Sequence, residues 1–466
     1  MTDRVSLLRN EIQKGYTEGR IGHFTCTYPP HKVYSEITED FDVRKVWADA
    51  GSDSESISLY FHVPFCKQRC SFCNLFMVTE SHGAGLIDRY VDCLVREIEM
   101  YEPILAPCIG KHTTLYFGGG TPSVLSPKQL GRILGALNPL TSRSQVVEFT
   151  IEVAPETATF DYLAALRELG VTRVSLGVQS VDELEVRHFA RQHTRAHVIS
   201  LIEASMNLGF STTNVDLIYG LASQTLPGWR KTLLAVLEHS PQCLSIYPLN
   251  VKPLTSLARP RSNGESSEAD RPLFYSMYDS AVEILEAAGY EQQTRTLFFR
   301  GTDRYLNKAN EAVGHPVKGF GAGAQSYAPH WHYRPGNSYR NAMTHLEAYI
   351  SDTEASRFPA RYAYKLNTEE LQRRQIALSI RYKQFPLEPF KQCFGAGPEE
   401  LFPDEFDALR QEALIDIRPS EILLTKKGLR YDNLVSTLFF SNRVRELLSE
   451  HQPARWSVER KHPTGR

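Results

Sequence analysis

The sequence has no long hydrophobic run, little net charge and few cysteines. No window approaches the roughly 18 uninterrupted apolar residues of a membrane-spanning helix. The polar start MTDRVSLLRNEIQKG lacks the apolar stretch of a signal peptide. We therefore expect a cytoplasmic protein with no membrane partner. Lysine and arginine number 52 against 54 aspartate and glutamate residues, so the bulk charge indicates no nucleic-acid partner.

The composition is that of an ordinary globular protein. Hydrophobic residues make up 42% of the 466 residues and charged residues 23%, which excludes fibrous and wholly disordered proteins. The length corresponds to about three domain equivalents, or to one large barrel with smaller appendages.

Short apolar runs alternate with amphipathic, helix-like stretches from Ile57 onward. The runs are rich in β-branched and aromatic residues, as strands are. They are ISLYFHV (57–63), TTLYFGGG (113–120), VVEFTIEV (146–153), RVSLGVQS (173–180), STTNVDLIYG (211–220) and QCLSIYPLN (242–250). This alternation predicts an α/β fold with a parallel sheet. At least six repeats predict a full or partial (β/α)6 barrel, with its chemistry at the carboxyl ends of the strands.

The same pattern divides the chain into three regions. We expect an irregular or helical N-terminal extension over 1–56 and the βα barrel domain over 57–354, with a late glycine-rich element, KGFGAGAQS (318–326). We expect a small, mostly helical C-terminal domain over 355–466, in which ILLT followed by KKGLRYDNLV is typical of a winged helix. The polar stretch 256–272 is typical of a loop.

Three of the eight cysteines fall within eight residues, directly after the first predicted strand. Cys66, Cys70 and Cys73 form C-x3-C-x2-C in LYFHVPFCKQRCSFCNLF. In a cytosolic chain such a cluster indicates metal or redox chemistry before disulfides. A structural zinc takes four ligands, and only His62 and His82 are candidates for the fourth. Three cysteines can instead hold three irons of a [4Fe–4S] cluster and leave the fourth iron open to a ligand.

The cysteine motif and several later motifs resemble a known family. C-x3-C-x-F-C after a first barrel strand is similar to the radical S-adenosylmethionine (SAM) superfamily. YFHVPFCKQRCSFC resembles, more particularly, the oxygen-independent coproporphyrinogen oxidase family. Further motifs follow in that family's order: GGGTP (118–122), IEVAPE (151–156), LGVQS (176–180), RQH (191–193), VDLIYGL (215–221) and TKKGLRYDN…FF (425–440).

The resemblance implies the cofactors and the residues that bind them. It implies a [4Fe–4S] cluster on the three cysteines and two SAM molecules. The residues it implies for SAM are Tyr60, Phe72, Gly119, Gly120, Thr121, Glu152, Gln179, Arg191 and Asp216.

The chemistry of these residue types agrees with such roles. Glycines let the backbone approach a ligand closely, because no Cβ intervenes. Glu152 suits ribose hydroxyls or an ammonium group, and Asp216 suits a sulfonium or ammonium group. Arg191 offers a fork to a carboxylate, and we expect the glycine-rich loop 319–326 to close over the second SAM.

Three activities within this family remain open, and two departures separate them. Coproporphyrinogen oxidases carry a further cysteine two residues after the motif, where this chain has Leu75. Heme-chaperone relatives carry a His-Asn-x-x-Tyr-Trp segment ahead of the late glycine loop, and this chain does not.

We therefore expect the third activity, that of a radical SAM C-methyltransferase or cyclopropanase. Such an enzyme transfers a SAM-derived carbon to an sp2 carbon of a small-molecule acceptor, with a flavodoxin or ferredoxin as electron donor. Coproporphyrinogen dehydrogenation is the first alternative. Heme binding or trafficking is the second.

Overall fold

The computed structural model describes residues 4–18, 27–48, 50, 56–79, 84–109, 112–142, 145–252, 255–258, 267–301, 305–336 and 341–450. Residues 259–266 of the predicted loop 256–272 and the end of the chain after 450 lie outside these residues. Within the described residues, no helix combines the length and the hydropathy that a membrane crossing requires.

The α-helices and strands are numbered along the chain. The helices are α1 (Arg4–Glu18), α2 (Val43–Ala48), α3 (Ala84–Leu105), α4 (Pro127–Leu137), α5 (Phe160–Glu168), α6 (Glu183–His188), α7 (Arg195–Asn207), α8 (Leu226–Leu237), α9 (Arg271–Ala287), α10 (Leu306–Ala312), α11 (Ala342–Glu354), α12 (Thr368–Ser379), α13 (Leu387–Phe394), α14 (Pro398–Leu401), α15 (Pro403–Gln411), α16 (Lys426–Arg430), α17 (Asp432–Thr437) and α18 (Asn442–Glu450). The strands are β1 (Ser35–Glu36), β2 (Ser56–Val63), β3 (Phe65–Cys66), β4 (Val78–Thr79), β5 (His112–Gly119), β6 (Val146–Val153), β7 (Arg173–Gln179), β8 (Thr212–Tyr219), β9 (Cys243–Pro248), β10 (Glu291–Gln292), β11 (Leu297–Phe299), β12 (Val317–Phe320), β13 (Ser326–Tyr327), β14 (Trp331–Arg334), β15 (Tyr362–Lys365), β16 (Gln384–Pro386), β17 (Ile415–Ile417) and β18 (Glu421–Leu424).

Six parallel strands form the centre of the main sheet, in the order β2-β5-β6-β7-β8-β9. They coincide with the six predicted runs to within two residues at each end. Neighbouring strands pair in parallel, with Leu59 opposite Leu115 and Ile151 opposite Val174. Both faces of these strands are largely buried, which explains why their sequences are apolar runs rather than strict alternations. The predicted α/β fold with a partial (β/α)6 barrel is confirmed.

Four helices that follow central strands begin at a side-chain cap. Ser126 forms a capping box with Gln129 at the start of α4. Thr159, Thr194 and Thr225 accept backbone N–H groups at the starts of α5, α7 and α8. These caps satisfy amides that have no partner inside the helix. Because the six central strands pair in parallel, their carboxyl ends all lie on the same side of the sheet.

Further strands extend the sheet at both edges. The glycine-rich element forms β12, which pairs in parallel with β2 and places Gly319 opposite Tyr60. Beyond it, β13, β14, β15 and β1 pair antiparallel. On the other side, β11 and β10 follow β9 in antiparallel pairing. The chain thus returns late in the sequence to cover the edge of the first strand.

A second hydrophobic core lies in the C-terminal region. There β16, β18 and β17 form an antiparallel sheet packed among short helices, which matches the predicted small helical region. α1 lies against α15, with Arg4 Nη2 2.8 Å from Glu405 Oε1. Ile12 of α1 is fully buried in this core. The start of the described chain therefore packs with its end.

Candidate active site

A cavity of about 440 Å³ opens at the carboxyl ends of the central strands. Its volume is in the range of small-molecule sites. Its walls come from the loop after β2 and from the ends of β5, β6, β7, β8 and β9. The predicted site residues in its lining are Cys66, Cys70, Phe72, Cys73, Gly119, Gly120, Thr121, Glu152, Gln179, Arg191 and Asp216. Tyr60 is the one predicted site residue outside the lining.

The three motif cysteines face this cavity from one loop. All three are partly buried. Burial raises the pKa of the Cys66 thiol to about 12 and also raises the pKa of Cys73. These two thiols are therefore protonated near neutral pH until a metal centre displaces the protons.

The cysteine loop fits an iron–sulfur cluster better than a single metal ion. Across the described part of the chain, no three His, Cys, Asp or Glu side chains converge to hold one ion. In a [4Fe–4S] cluster each cysteine binds a different iron, so the sulfur atoms need not converge on a point. His62, a candidate fourth ligand, is buried and bonds instead to Tyr60 Oη and the carbonyl of Phe76. His82 lies outside the described residues.

Gly119 and Gly120 let the end of β5 touch the cysteine loop. A Cβ on Gly120 would lie 2.8 Å from the carbonyl oxygen of Phe65 and 3.1 Å from Cys66 Sγ. Gly119 has φ of +111°, and a Cβ there would lie 2.6 Å from the His62 ring. Both positions need glycine for the fold of the site itself. The GGGTP motif therefore has a structural reason before any ligand is considered.

Two carboxylates, Glu152 and Asp216, stand in the cavity wall. Tyr116 Oη donates a 2.6 Å hydrogen bond to Glu152, and Ser175 and Asn214 donate to Asp216 at 2.9 and 2.8 Å. Burial raises the pKa of Glu152 to about 7; the nearby Asp216 also raises it, whereas the Tyr116 hydrogen bond lowers it. Burial also raises the pKa of Asp216. A cationic ligand would favour the ionised form of both acids, and the ammonium and sulfonium groups of SAM are such cations.

Arg191 lines the cavity, and its fork is bonded to a carboxylate of the chain. Its Nε and Nη2 donate to the two carboxylate oxygens of Glu156 at 2.8 and 2.7 Å. Nη2 also donates to the carbonyl of Gly177 at 2.8 Å, and Nη1 approaches Cys70 Sγ at 3.6 Å. The fork expected to bind a ligand carboxylate is thus occupied by a carboxylate of the chain. Sequence reasoning missed this role of Glu156, because the two residues are 35 positions apart.

Phe72 and Gln179 complete the predicted lining. The Phe72 ring packs edge-on against Phe189, with 5.3 Å between ring centroids. Gln179 ends β7 at an irregularity in its pairing with β8 and has φ of +71°. A non-glycine residue in this left-handed region is strained, and such strain is common at functional sites.

Tyr60 and the glycine-rich loop are not part of the cavity lining. The Tyr60 ring stacks on that of Tyr116, with 5.7 Å between centroids. Gly321 and Gly323 of the loop pack against His62. The two glycines therefore pack on His62, the residue that Gly119 also faces. The predicted contacts of Tyr60 and of the loop with SAM stay predictions.

Comparison with known proteins finds a family that matches the central region and individual proteins that are similar over most of the chain. Residues 60–235 match the Radical SAM superfamily. Heme chaperone HemW of Bacillus subtilis is 27% identical over 386 residues, which cover 82% of this chain and 98% of that protein. The oxygen-independent coproporphyrinogen III oxidase of Salmonella typhimurium is 28% identical over 425 residues, which cover 86% of this chain and 89% of the oxidase. Among solved structures, coproporphyrinogen III oxidase (HemN) of Escherichia coli aligns with a TM-score of 0.75 at 24% identity, over 90% of this chain and 97% of HemN.

These comparisons confirm the predicted cofactor classes. Radical SAM proteins use a [4Fe–4S] cluster and SAM, and the superfamily match covers the cysteine loop, the glycines and both carboxylates. Their chemistry needs an electron donor and a substrate, as the sequence predicted. The alignment with HemN gives the same fold.

The expected methyltransferase or cyclopropanase activity is wrong. Relatives matched over more than four fifths of the chain are named as coproporphyrinogen oxidases and heme chaperones. Leu75 and the missing His-Asn-x-x-Tyr-Trp segment, from which carbon transfer was inferred, are local differences within this long similarity. Residues 60–235 match the Radical SAM superfamily, and over most of its length the chain is similar to oxygen-independent coproporphyrinogen III oxidases and to the heme chaperone HemW.

Proposed function

We propose that this protein is an oxygen-independent coproporphyrinogen oxidase, which converts propionate side chains of a porphyrinogen to vinyl groups. The observation that supports this most is the cavity itself. Three cysteines, two close-packed glycines and two buried acids meet there, in a fold that aligns with 97% of HemN. The similarity to the Salmonella oxidase also spans more of this chain than the similarity to HemW, 86% against 82%.

The chemistry divides between the cofactors and the chain. When bound, the cluster and SAM supply a 5′-deoxyadenosyl radical, which is the reactive group. For each vinyl group formed, the substrate loses one hydrogen atom, one carbon dioxide and one electron, and the electron passes to a one-electron acceptor. The residues of the chain orient the reactants and exclude water. A flavodoxin or ferredoxin is the proposed electron donor.

Two SAM molecules are part of the proposal. Glu152, held by Tyr116 and by the amide of Gly119 at 3.2 Å, would bind the SAM nearer the cysteine loop. Asp216, with Gln179 beside it in the cavity lining, would bind the second. In each case a buried carboxylate meets a cation, which favours its ionised form.

We propose that part of the cavity lining contacts the tetrapyrrole. Leu75 is 49% exposed there, and with Leu249 it adds apolar surface to the lining. Lys67 and Lys252 also line the cavity and would receive propionate carboxylates. Leucine at position 75 would then pack on the macrocycle, in place of the thiol that the oxidase family carries.

Anaerobic turnover tests this function. Protein with a reconstituted cluster is supplied with SAM, a reduced flavodoxin and coproporphyrinogen III. We expect carbon dioxide, protoporphyrinogen and 5′-deoxyadenosine, and none of these from Cys66→Ala. Lys252→Gln should raise the KM for the porphyrinogen and leave SAM affinity unchanged.

Heme trafficking is the second candidate function. It is favoured by the match to 98% of Bacillus subtilis HemW and by Leu75 in place of the oxidase cysteine. A chaperone would bind heme stoichiometrically and leave coproporphyrinogen III unchanged in the same assay. That result would replace the oxidase proposal.

A further inference from the structure

Each motif cysteine receives one hydrogen bond from a different part of the chain. Thr121 Oγ1 donates to Cys66 Sγ at 3.3 Å. Arg191 Nη1 donates to Cys70 Sγ at 3.6 Å. The amide of Leu75 donates to Cys73. Among these three donors, only Arg191 carries a positive charge.

The remaining donors of Arg191 hold it in place. Nε and Nη2 make a two-pronged contact with Glu156, and Nη2 also donates to Gly177 O. The side chain of Arg191 is 9% exposed and that of Glu156 is 14% exposed. A planar guanidinium fixed by this fork has little freedom to turn. Nη1 is therefore directed at the sulfur of Cys70.

Glu156 also forms a hydrogen bond with His193. The His193 side chain is 0% exposed, with Nδ1 3.2 Å from Glu156 Oε1 and Nε2 3.0 Å from the carbonyl oxygen of Ser180. The amide of Gln192 also donates to Glu156 Oε1 at 3.2 Å. Burial opposes ionisation of Glu156, but the His193 hydrogen bond and the charge of Arg191 hold its pKa well below the usual range. Glu156 is therefore ionised and forms an ion pair with Arg191.

We propose that Arg191 is a positioning and tuning residue that raises the reduction potential of the cluster through Cys70. Hydrogen bonds to the sulfurs and nearby charge both set the potential of an iron–sulfur cluster. Reduction adds one electron, so a cation on the Cys70 side stabilises the reduced form more than the oxidised form. Glu156 places the guanidinium and partly offsets its charge. This role is independent of which substrate the enzyme uses.

The direct test is a potentiometric titration of the cluster, without SAM or substrate. Reconstituted protein is titrated anaerobically with dithionite, and the reduced cluster is followed by electron paramagnetic resonance. Arg191→Gln should lower the midpoint. At the wild-type midpoint its ratio of reduced to oxidised cluster should fall about tenfold, which is 59 mV for one electron. Thr121→Val, which removes a neutral donor, should give a smaller shift in the same direction.

Glu156→Gln separates tuning from a merely structural role. It removes the negative partner while its amide oxygen still accepts from Arg191, so the midpoint should rise. A structural role would disorder the Cys70 side in both variants and move both midpoints in the same direction. Opposite shifts support the proposal. Shifts of the same sign, or none, overturn it.

Two further variants complete the experiment. Arg187→Gln removes an exposed positive charge from α6, close in the chain to Arg191, and should leave the midpoint unchanged. An equal shift in Arg187→Gln would mean that bulk charge alone is responsible, which overturns the proposal. If Arg191→Gln fails to assemble the cluster, Arg191→Lys takes its place. Lysine keeps the charge without the fork, so its midpoint should fall by less, and an unchanged midpoint would contradict the proposal.

Discussion

Tyr116 Oη lies 2.6 Å from Glu152 Oε1 in the cavity wall, and this hydrogen bond opposes the burial that raises the pKa of Glu152 to about 7. The carboxyl group therefore changes charge close to neutral pH. A cationic ligand favours its ionised form and so lowers the pH at which it loses its proton. The binding state of the cavity is thus coupled to pH.

The first prediction concerns the stability of the unloaded protein. The Glu152 pKa is 4.5 in its ordinary state and about 7 in the folded chain, so the folded state holds more protons than the unfolded state between these values. The stabilisation of the folded state by protonated Glu152 is fully present below pH 4.5 and is lost as the pH rises through 7. We expect the free energy of unfolding to fall by up to about 3 kcal/mol across this window.

Urea unfolding between pH 5 and 8 measures this dependence. Glu152→Gln should flatten it, because the amide does not titrate. Asp216, whose pKa burial also raises, contributes a slope of the same sign, so some slope should remain. Equal slopes in the two proteins would contradict the assignment to Glu152.

The second prediction concerns Gly120. Gly120→Ala would place a Cβ within 2.9 Å of the carbonyl oxygens of Phe65 and Val63. We expect a loss of about 1–3 kcal/mol in stability and a lower iron content after reconstitution. Gly135 in α4 is the matched control, since a Cβ there meets nothing within 4 Å. Gly135→Ala should be neutral or stabilising by up to about 1 kcal/mol, with full iron content.

The third prediction concerns the cluster ligands. Replacing Cys66, Cys70 and Cys73 together by alanine should abolish iron binding, whereas Cys393→Ala, at an exposed cysteine, should retain about four irons per chain. Because the Cys66 thiol is protonated near neutral pH, cluster assembly should release protons and proceed faster at pH 8.5 than at pH 6.5. Iron analysis and a pH indicator during reconstitution measure both effects. Zinc bound in place of iron would contradict the assignment of the cysteines to an iron–sulfur cluster.

The fourth prediction concerns the second SAM molecule. Asp216→Asn removes a buried charge but keeps the hydrogen bonds from Ser175 and Asn214 within reach. Losing one charged contact of this kind weakens binding by about a hundredfold, or a few kcal/mol. Calorimetry on reconstituted protein should show two SAM sites in the wild type, with one weakened in the variant. A single site unaffected by Asp216→Asn would remove the support for a second SAM.

Features that depend on neighbouring residues could be predicted from the sequence. Contacts between segments that are far apart in the sequence could not. The six strands follow from apolar runs, and the cysteine loop follows from its spacing directly after β2. The two hydrogen bonds between Arg191 and Glu156 join two different βα units. No pattern in either segment predicts them. The stacking of Tyr60 on Tyr116 also joins two different strands and is not visible in either segment. The predicted contact of Tyr60 with SAM stays a prediction.

The late glycine-rich element is a second example of this limit. Its composition is typical of a turn, and its predicted position over the second SAM stays a prediction. In the fold its first residues belong to β12, which pairs with β2, and Gly323 after that strand packs against His62. Tertiary pairing between segments more than 250 residues apart decides its position, and a single sequence does not encode that pairing in any local pattern.

Transfer of a labelled hydrogen tests the central claim most directly. Coproporphyrinogen III carrying deuterium on the propionate carbon next to the ring is incubated anaerobically with the reconstituted protein, SAM and a reduced flavodoxin. If the cavity performs oxidase chemistry, one deuterium should appear in 5′-deoxyadenosine for each carbon dioxide released, together with protoporphyrinogen. Unlabelled 5′-deoxyadenosine without carbon dioxide, from protein with its full cluster, would contradict the account.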